Sequence, residues 1–199
     1  MSNKGYSIVF SSRTGNTAEL AEAVRAALPE GACEYFGSVD GDGNCDCDCD
    51  TGCAGDGDRN GSSFGSSTCT IPASETLFVG FWTNQGVADQ AAQKLLEQLK
   101  DRKIFLFGTA GFGGSEAYFQ TILDKTKAFI DDSNTVIGTF MCQGKMPHSV
   151  RERYVKMKEQ PNRMPNLDAM IENFDKALSH PDTNDLEKLT SAARETIER

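Results

Sequence analysis

The chain has 199 residues, 38% of them hydrophobic and 25% charged, with a formal net charge of −9, a length that suits one α/β domain and is short for two. Its apolar runs fall far short of the roughly 20 residues that a membrane-spanning helix needs, and "MSNKGYS" has no charged start leading into an apolar segment, so a cytoplasmic protein without a membrane anchor is expected. Nothing supplies the basic stripe that phosphates of nucleic acid require, so nucleic acid is excluded as a partner.

In chain order, "YSIVF" (6–10) reads as a buried strand and "NTAELAEAVRAAL" (16–28) as an amphipathic helix. Its Leu20, Ala21, Val24 and Leu28 share one face, and Pro29, Glu30 and Gly31 end it. "CEYFG" (33–37) is a short second strand. "ETLFVGFW" (75–82) is apolar enough to be buried on both faces, as in a parallel sheet. A helix is expected over 86–100, with Val87, Ala91, Leu95 and Leu99 at helical spacing, and then a buried strand, "KIFLFGT" (103–109). A glycine-rich loop leads into a helix over 115–131, with Phe119, Ile122, Leu123, Phe129 and Ile130 inward, and "TVIGTFMCQG" (135–144) is the last strand. Residues 147–199 are charged and helical, broken near Pro161, Pro165 and Pro181. Strands alternating with helices predict right-handed crossovers and a doubly wound parallel sheet. Ligands of such sheets sit outside the carboxyl ends of the strands, and segments 11–17, 81–86 and 109–114 all fall there.

The first of these segments, "SSRTGNT", joins a strand to a helix N-terminus, where unpaired N–H groups and the positive end of the helix dipole gather. The hydroxyls of Ser11, Ser12, Thr14 and Thr17 and the amide of Asn16 add donors, and Gly15 permits close backbone approach. Together they predict a cradle for a phosphate monoester. A helix cap alone asks for one such residue, not five. The segment is no P-loop, since G-x-x-x-x-G-K-[ST] is absent, and "GTAGFGG" (108–114) fails the dinucleotide fingerprint because Glu116 stands at its last glycine position.

These residues carry a resemblance. "SSRTGNT" resembles the FMN phosphate loop of the flavodoxin family, "GFWTNQG" (80–86) is similar to the second flavin loop, and "GTAGFGG" takes the place of the third. "GFWTNQGVADQ" with "CQGKMP" (142–147) is also similar to a flavodoxin subgroup found beside bilirubin-reducing enzymes in anaerobic bacteria. The resemblance spans about 6–36 and 71–175. It implies a flavodoxin-like five-stranded parallel sheet of order 2-1-3-4-5, FMN as cofactor, and an electron carrier working with a partner reductase. The FMN-binding residues it implies are Ser11, Ser12, Arg13, Thr14, Gly15, Asn16 and Thr17, then Phe81, Trp82, Thr83, Asn84 and Gly86, then Thr109, Ala110, Gly111, Phe112 and Gly113. Arg13 departs from the family pattern, standing where a small hydroxyl residue is usual; it pairs with the phosphate or lies in solvent. Phe112 and Tyr118 are the two candidates for the second stacking aromatic. An acidic, partly apolar pocket around the ring is expected.

The chain divides as a flavodoxin-like domain over 1–178, interrupted by an insertion at 37–69, and a helical extension over 179–199. The insertion holds five of the seven cysteines (45, 47, 49, 53 and 69) and a net charge of −6, leaving −3 for the other 166 residues. Its C-x-C spacing is a weak match to zinc sites, "DGDRNG" (56–61) has Ser67 where a calcium loop needs Glu, and a mobile surface loop without metal is expected. Deleting 40–69 behind a short Gly-Ser linker is expected to leave FMN binding intact, since the segment's one large apolar side chain is Phe64. Flavin titration of the deletion variant checks this; loss of binding would contradict it. Cys33 and Cys142 are expected as small core residues. His148 and His180 are expected in the tail, away from the strand ends, with no catalytic group among them. Two other functions compete: an FMN-dependent NAD(P)H or quinone reductase on the same fold, and a flavin-free interaction protein.

Overall fold

The structure is a computed structural model that describes residues 5–39, 72–113, 115–160 and 165–198. The expectations for the insertion beyond Val39, and for Gly114, lie outside these residues. The elements run β1 (Tyr6–Phe10), α1 (Asn16–Ala27), β2 (Cys33–Ser38), β3 (Thr76–Asn84), β4 (Val87–Ala88), α2 (Gln90–Gln98), β5 (Lys103–Ala110), α3 (Glu116–Lys127), β6 (Thr135–Gln143), α4 (His148–Lys158), α5 (Leu167–Ala177) and α6 (Thr183–Glu198).

The five long strands pair in the order β2-β1-β3-β5-β6, every neighbour parallel. With the two-residue β4 set aside, this is the expected 2-1-3-4-5 order. Successive side chains leave a strand on opposite faces, and both faces are filled. Tyr6, Ile8, Phe10, Phe78, Phe105 and Phe107 pack beneath α1 and α6. Val9, Leu77, Val79, Phe81, Ile104 and Leu106 pack beneath α2 and α3. Most of these are fully buried, each worth about 1.5–3 kcal/mol in area removed from water. The α1 residues expected inward, Leu20, Ala21, Val24 and Leu28, are all buried. α6 begins beyond position 178 and buries Leu189 and Ala193 in the same cluster as α1.

One element differs from the sequence expectation. Residues 86–89 are not helical: Val87 and Ala88 pair antiparallel with Asn84 and Thr83 across a tight hairpin. Its two central residues, Gln85 (φ 52°) and Gly86 (φ 81°), both take positive φ, as a two-residue hairpin turn of the primed type requires. α2 starts only after Asp89, whose Oδ1 accepts from the N–H groups of Ala91 and Ala92. Ala92, Leu95, Leu96 and Leu99 form its buried face, in place of Val87 and Ala91.

Tyr6 is fully buried at the start of β1, its hydroxyl donating to Pro29 O at 3.2 Å. Burial first, then the adjacent Cys33 thiol, pushes its pKa from 10.0 up to about 12. Above pH 10 the unfolded chain releases a proton that the folded chain keeps, so stability falls as pH rises from 10 through about 12. Tyr6→Phe is expected to flatten this alkaline slope. Urea midpoints of both proteins across that window check it; parallel curves would contradict the assignment.

Candidate functional site

The segment after β1 is held to the rest of the sheet from both ends. Ser11 N–H donates to Gly80 O (2.9 Å), and its buried hydroxyl has no partner. α1 opens behind Gly15, in the left-handed region (φ 87°), without a side-chain cap from that position. Of the hydroxyls here, Ser12 Oγ serves the helix, accepting from Ala18 N–H at 3.2 Å. Asn16 Nδ2 donates to Thr14 Oγ1 (2.9 Å) and to Lys145 O (2.8 Å), tying this turn to the chain leaving β6. Thr17 is buried, donating to Phe81 O (3.3 Å) with Thr109 Oγ1 at 3.1 Å. Its hydroxyl braces α1 against β3 and β5.

At the end of β3, Trp82 is half-buried beside Thr109 of β5. The guanidinium of Arg13 lies over its ring, 5.3 Å from the centroid, a cation–π contact worth about 0.5–1 kcal/mol in an exposed setting. Phe81, one residue earlier, points to the opposite face; it is fully buried in the core over Gly108 and does not reach the cleft. Thr83 Oγ1 is buried and unpartnered.

The third loop is fixed by a residue that sequence reasoning missed. Asn173, on α5, accepts from Gly113 N–H (3.3 Å) and Gln143 Nε2 (3.1 Å) while its own Nδ2 donates to Gly111 O (3.0 Å). Gly113 has φ 105°, and a Cβ there would lie 2.2 Å from Tyr118 Cδ1, so the loop turns only because that position is glycine. Phe112, 44% exposed, stands at the rim.

These segments enclose a cleft of about 850 Å³ at the carboxyl ends of the strands. It is lined by Arg13, Thr14, Asn16, Trp82, Thr83, Asn84, Gly86, Thr109, Ala110, Gly111 and Phe112, all expected from the sequence. Ser11, Ser12, Gly15, Thr17, Phe81 and Gly113 are not on its surface. Both alternative aromatics, Phe112 and Tyr118, are. Sequence reasoning missed Gln85, the stretch Gly144–Pro147, and Ser149, Val150, Arg153, Tyr154 and Met170 of α4 and α5. The one sequence signal was the spacing of 149, 150, 153 and 154, which places them on a single helix face.

Two further expectations are corrected. Among the described residues, the charged ones lining this cleft are Arg13, Lys145 and Arg153, so this wall is basic although the chain is acidic. The chain's negative charge is concentrated in the insertion instead. His180 is not remote from the strand ends: its carbonyl accepts from Lys145 N–H (3.1 Å) just beyond β6, and its Nδ1 lies 2.6 Å from Asp185 Oδ2. His148 packs near Phe174 (ring centroids 6.0 Å apart) rather than facing the cleft. Cys142 is buried, and burial raises its thiol pKa well above the ordinary range.

A family model described as a flavodoxin domain matches residues 64–194, which takes in the second and third loops and leaves out the first. A flavodoxin-like domain-containing protein, BilS, from Clostridium symbiosum is 36% identical over 189 residues, covering 91% of this chain and 90% of that protein. The chain belongs to the flavodoxin family. A second BilS, from Clostridioides difficile, is 28% identical over 120 residues, covering 60% of this chain and 68% of the relative. Both relatives carry the name BilS, which supports the resemblance to one flavodoxin subgroup. Among solved structures, oxidised Flavodoxin 2 from Bacillus cereus superposes with a TM-score of 0.50 at 14% identity, covering 98% of each chain, which supports the fold alone. Among the described residues, no helix of this flavodoxin-family chain is long and apolar enough to cross a membrane.

Proposed function

We propose that this flavodoxin-family protein holds FMN in the cleft and carries electrons to or from a partner reductase. The observation that carries the reading is the convergence of the first, second and third loops on one cleft, with the N-terminus of α1 beside the first loop and the only Trp on the second. The donor set fits the group. Thr83 Oγ1 is a buried hydroxyl without a partner in a residue that lines the cleft; an unpaired buried polar atom is costly, and a ligand seated there would satisfy it.

In this reading the phosphate would be held by the α1 N-terminus, the Ser12 and Thr14 hydroxyls and Asn16, with Arg13 as the cation of the same loop. Trp82 would cover one face of the ring, and Phe112 of the third loop or Tyr118 of α3 would flank it. Backbone groups of 83–84 and 109–113 would meet its polar edge. FMN supplies the redox chemistry when bound; the chain supplies position, exclusion of water and the surrounding potential. Asn173 is the positioning residue of this arrangement, since it fixes the carbonyl of Gly111 and the N–H of Gly113 through one amide.

The test is electron transfer by the FMN-loaded chain, reduced anaerobically and mixed with cytochrome c as a one-electron acceptor. Rapid transfer, with NADPH oxidation at background when no other protein is present, is the expected result. Sustained NADPH turnover by the chain alone would replace this reading with the reductase one.

A further inference from the structure

We infer that the cleft has a second compartment, walled by α4 and α5, that binds an apolar organic anion beside the flavin. This rests on the reading of FMN at the strand ends. Beyond the three loops, the cleft is lined by Met146 and Pro147 ahead of α4, by Val150 and Tyr154 of α4 and by Met170 of α5. These side chains offer a flat molecule an apolar contact surface, and Tyr154 among them is buried.

The charge beside them has one sign. Arg153 lies one residue before Tyr154, its guanidinium 5.9 Å from the Tyr154 ring centroid, and among the described residues no carboxylate pairs with it. The other two cations of the cleft have neighbours: Arg13 stacks on Trp82 beside the phosphate loop, and Lys145 Nζ lies 4.0 Å from Glu19. Among the described residues, no Asp or Glu lines this cleft. A ligand with a flat apolar body and a carboxylate or sulfonate therefore satisfies both wall and cation, the guanidinium fork matching the two oxygens. A cationic ligand finds no carboxylate there among the described residues.

The experiment uses the full chain saturated with FMN and titrates 2-naphthoate and 2-naphthamide, which differ in charge but hardly in shape, by calorimetry. Naphthoate is expected to bind about fivefold or more tightly than naphthamide, as one partly exposed ion pair implies. Arg153→Ala should erase that preference, hold naphthamide affinity within about twofold, and retain one FMN per chain. Equal affinity for the two probes, no detectable naphthoate binding, or a preference that survives Arg153→Ala would each overturn the compartment while leaving the FMN reading in place. Naphthoate that displaces FMN, or an Arg153→Ala protein that no longer holds FMN, would also overturn it, because the cleft would then hold one ligand. A wild-type chain that takes up no FMN overturns both.

Discussion

Replacing Ser12 and Thr14 together by Ala is expected to weaken FMN binding by about a hundredfold while changing riboflavin binding by no more than about threefold. Two hydroxyls donating to a dianionic phosphate are worth about 1.5 kcal/mol or more each, and riboflavin has no phosphate for them to meet. The substitution has one side effect common to both ligands. Ser12 Oγ accepts from Ala18 N–H at the start of α1, so its loss costs about 1 kcal/mol of helix capping. Riboflavin is the control for that cost. Thr17 is a poorer target: its hydroxyl is buried against Phe81 O and Thr109, and removing it would disturb the packing of α1 on the sheet. Parallel losses for FMN and riboflavin, read by titration of each, would reduce the loop to a cap.

Adding FMN to flavin-free protein is expected to quench most of the tryptophan fluorescence, and Trp82→Ala is expected to weaken FMN binding by about tenfold, from lost stacking and burial. Trp82 is the chain's only Trp, so the emission reports on one ring. In the structure that ring is shared with Arg13 at 5.3 Å. A flavin stacked on the same face displaces the guanidinium, and an adjoining cleft of about 410 Å³, lined by Arg13 and by Asp89, gives it room to move. Emission unchanged at saturation would remove Trp82 from the site.

The fold was legible because its strands state their faces. In β3 and β5 every position from Leu77 to Phe81 and from Ile104 to Ala110 is buried, and uninterrupted apolar runs of that length separated by helical periodicity have few other solutions. The first loop was legible for a local reason: its polar residues follow one another, and the helix they precede is unmistakable. Val87 was misread because Val87, Ala91, Leu95 and Leu99 keep helical spacing straight through the hairpin. The turn that breaks it needs positive φ at Gln85, a residue type that does not advertise it.

The far wall of the cleft was hidden for a different reason. In "HSVRERYVKMK" the cleft-facing Val150 and Tyr154 are outnumbered by charged residues, and their shared face means nothing until α4 is placed over the strand ends. Asn173 lies about sixty residues from the glycines it binds, a separation at which no local pattern speaks. The sign of the cleft was misjudged because net charge averages over the chain: −6 of the −9 resides in the insertion, while the cleft itself is lined by Arg13, Lys145 and Arg153.

The central claim is that this cleft holds one FMN. Its most direct test is to incubate the purified chain with a mixture of FMN, riboflavin and FAD, remove free flavin by gel filtration, release what remains by denaturation, and identify and count it. One FMN per chain, with riboflavin and FAD at trace levels, is the predicted result. A protein that emerges colourless, or that retains the three flavins without preference, would contradict the account.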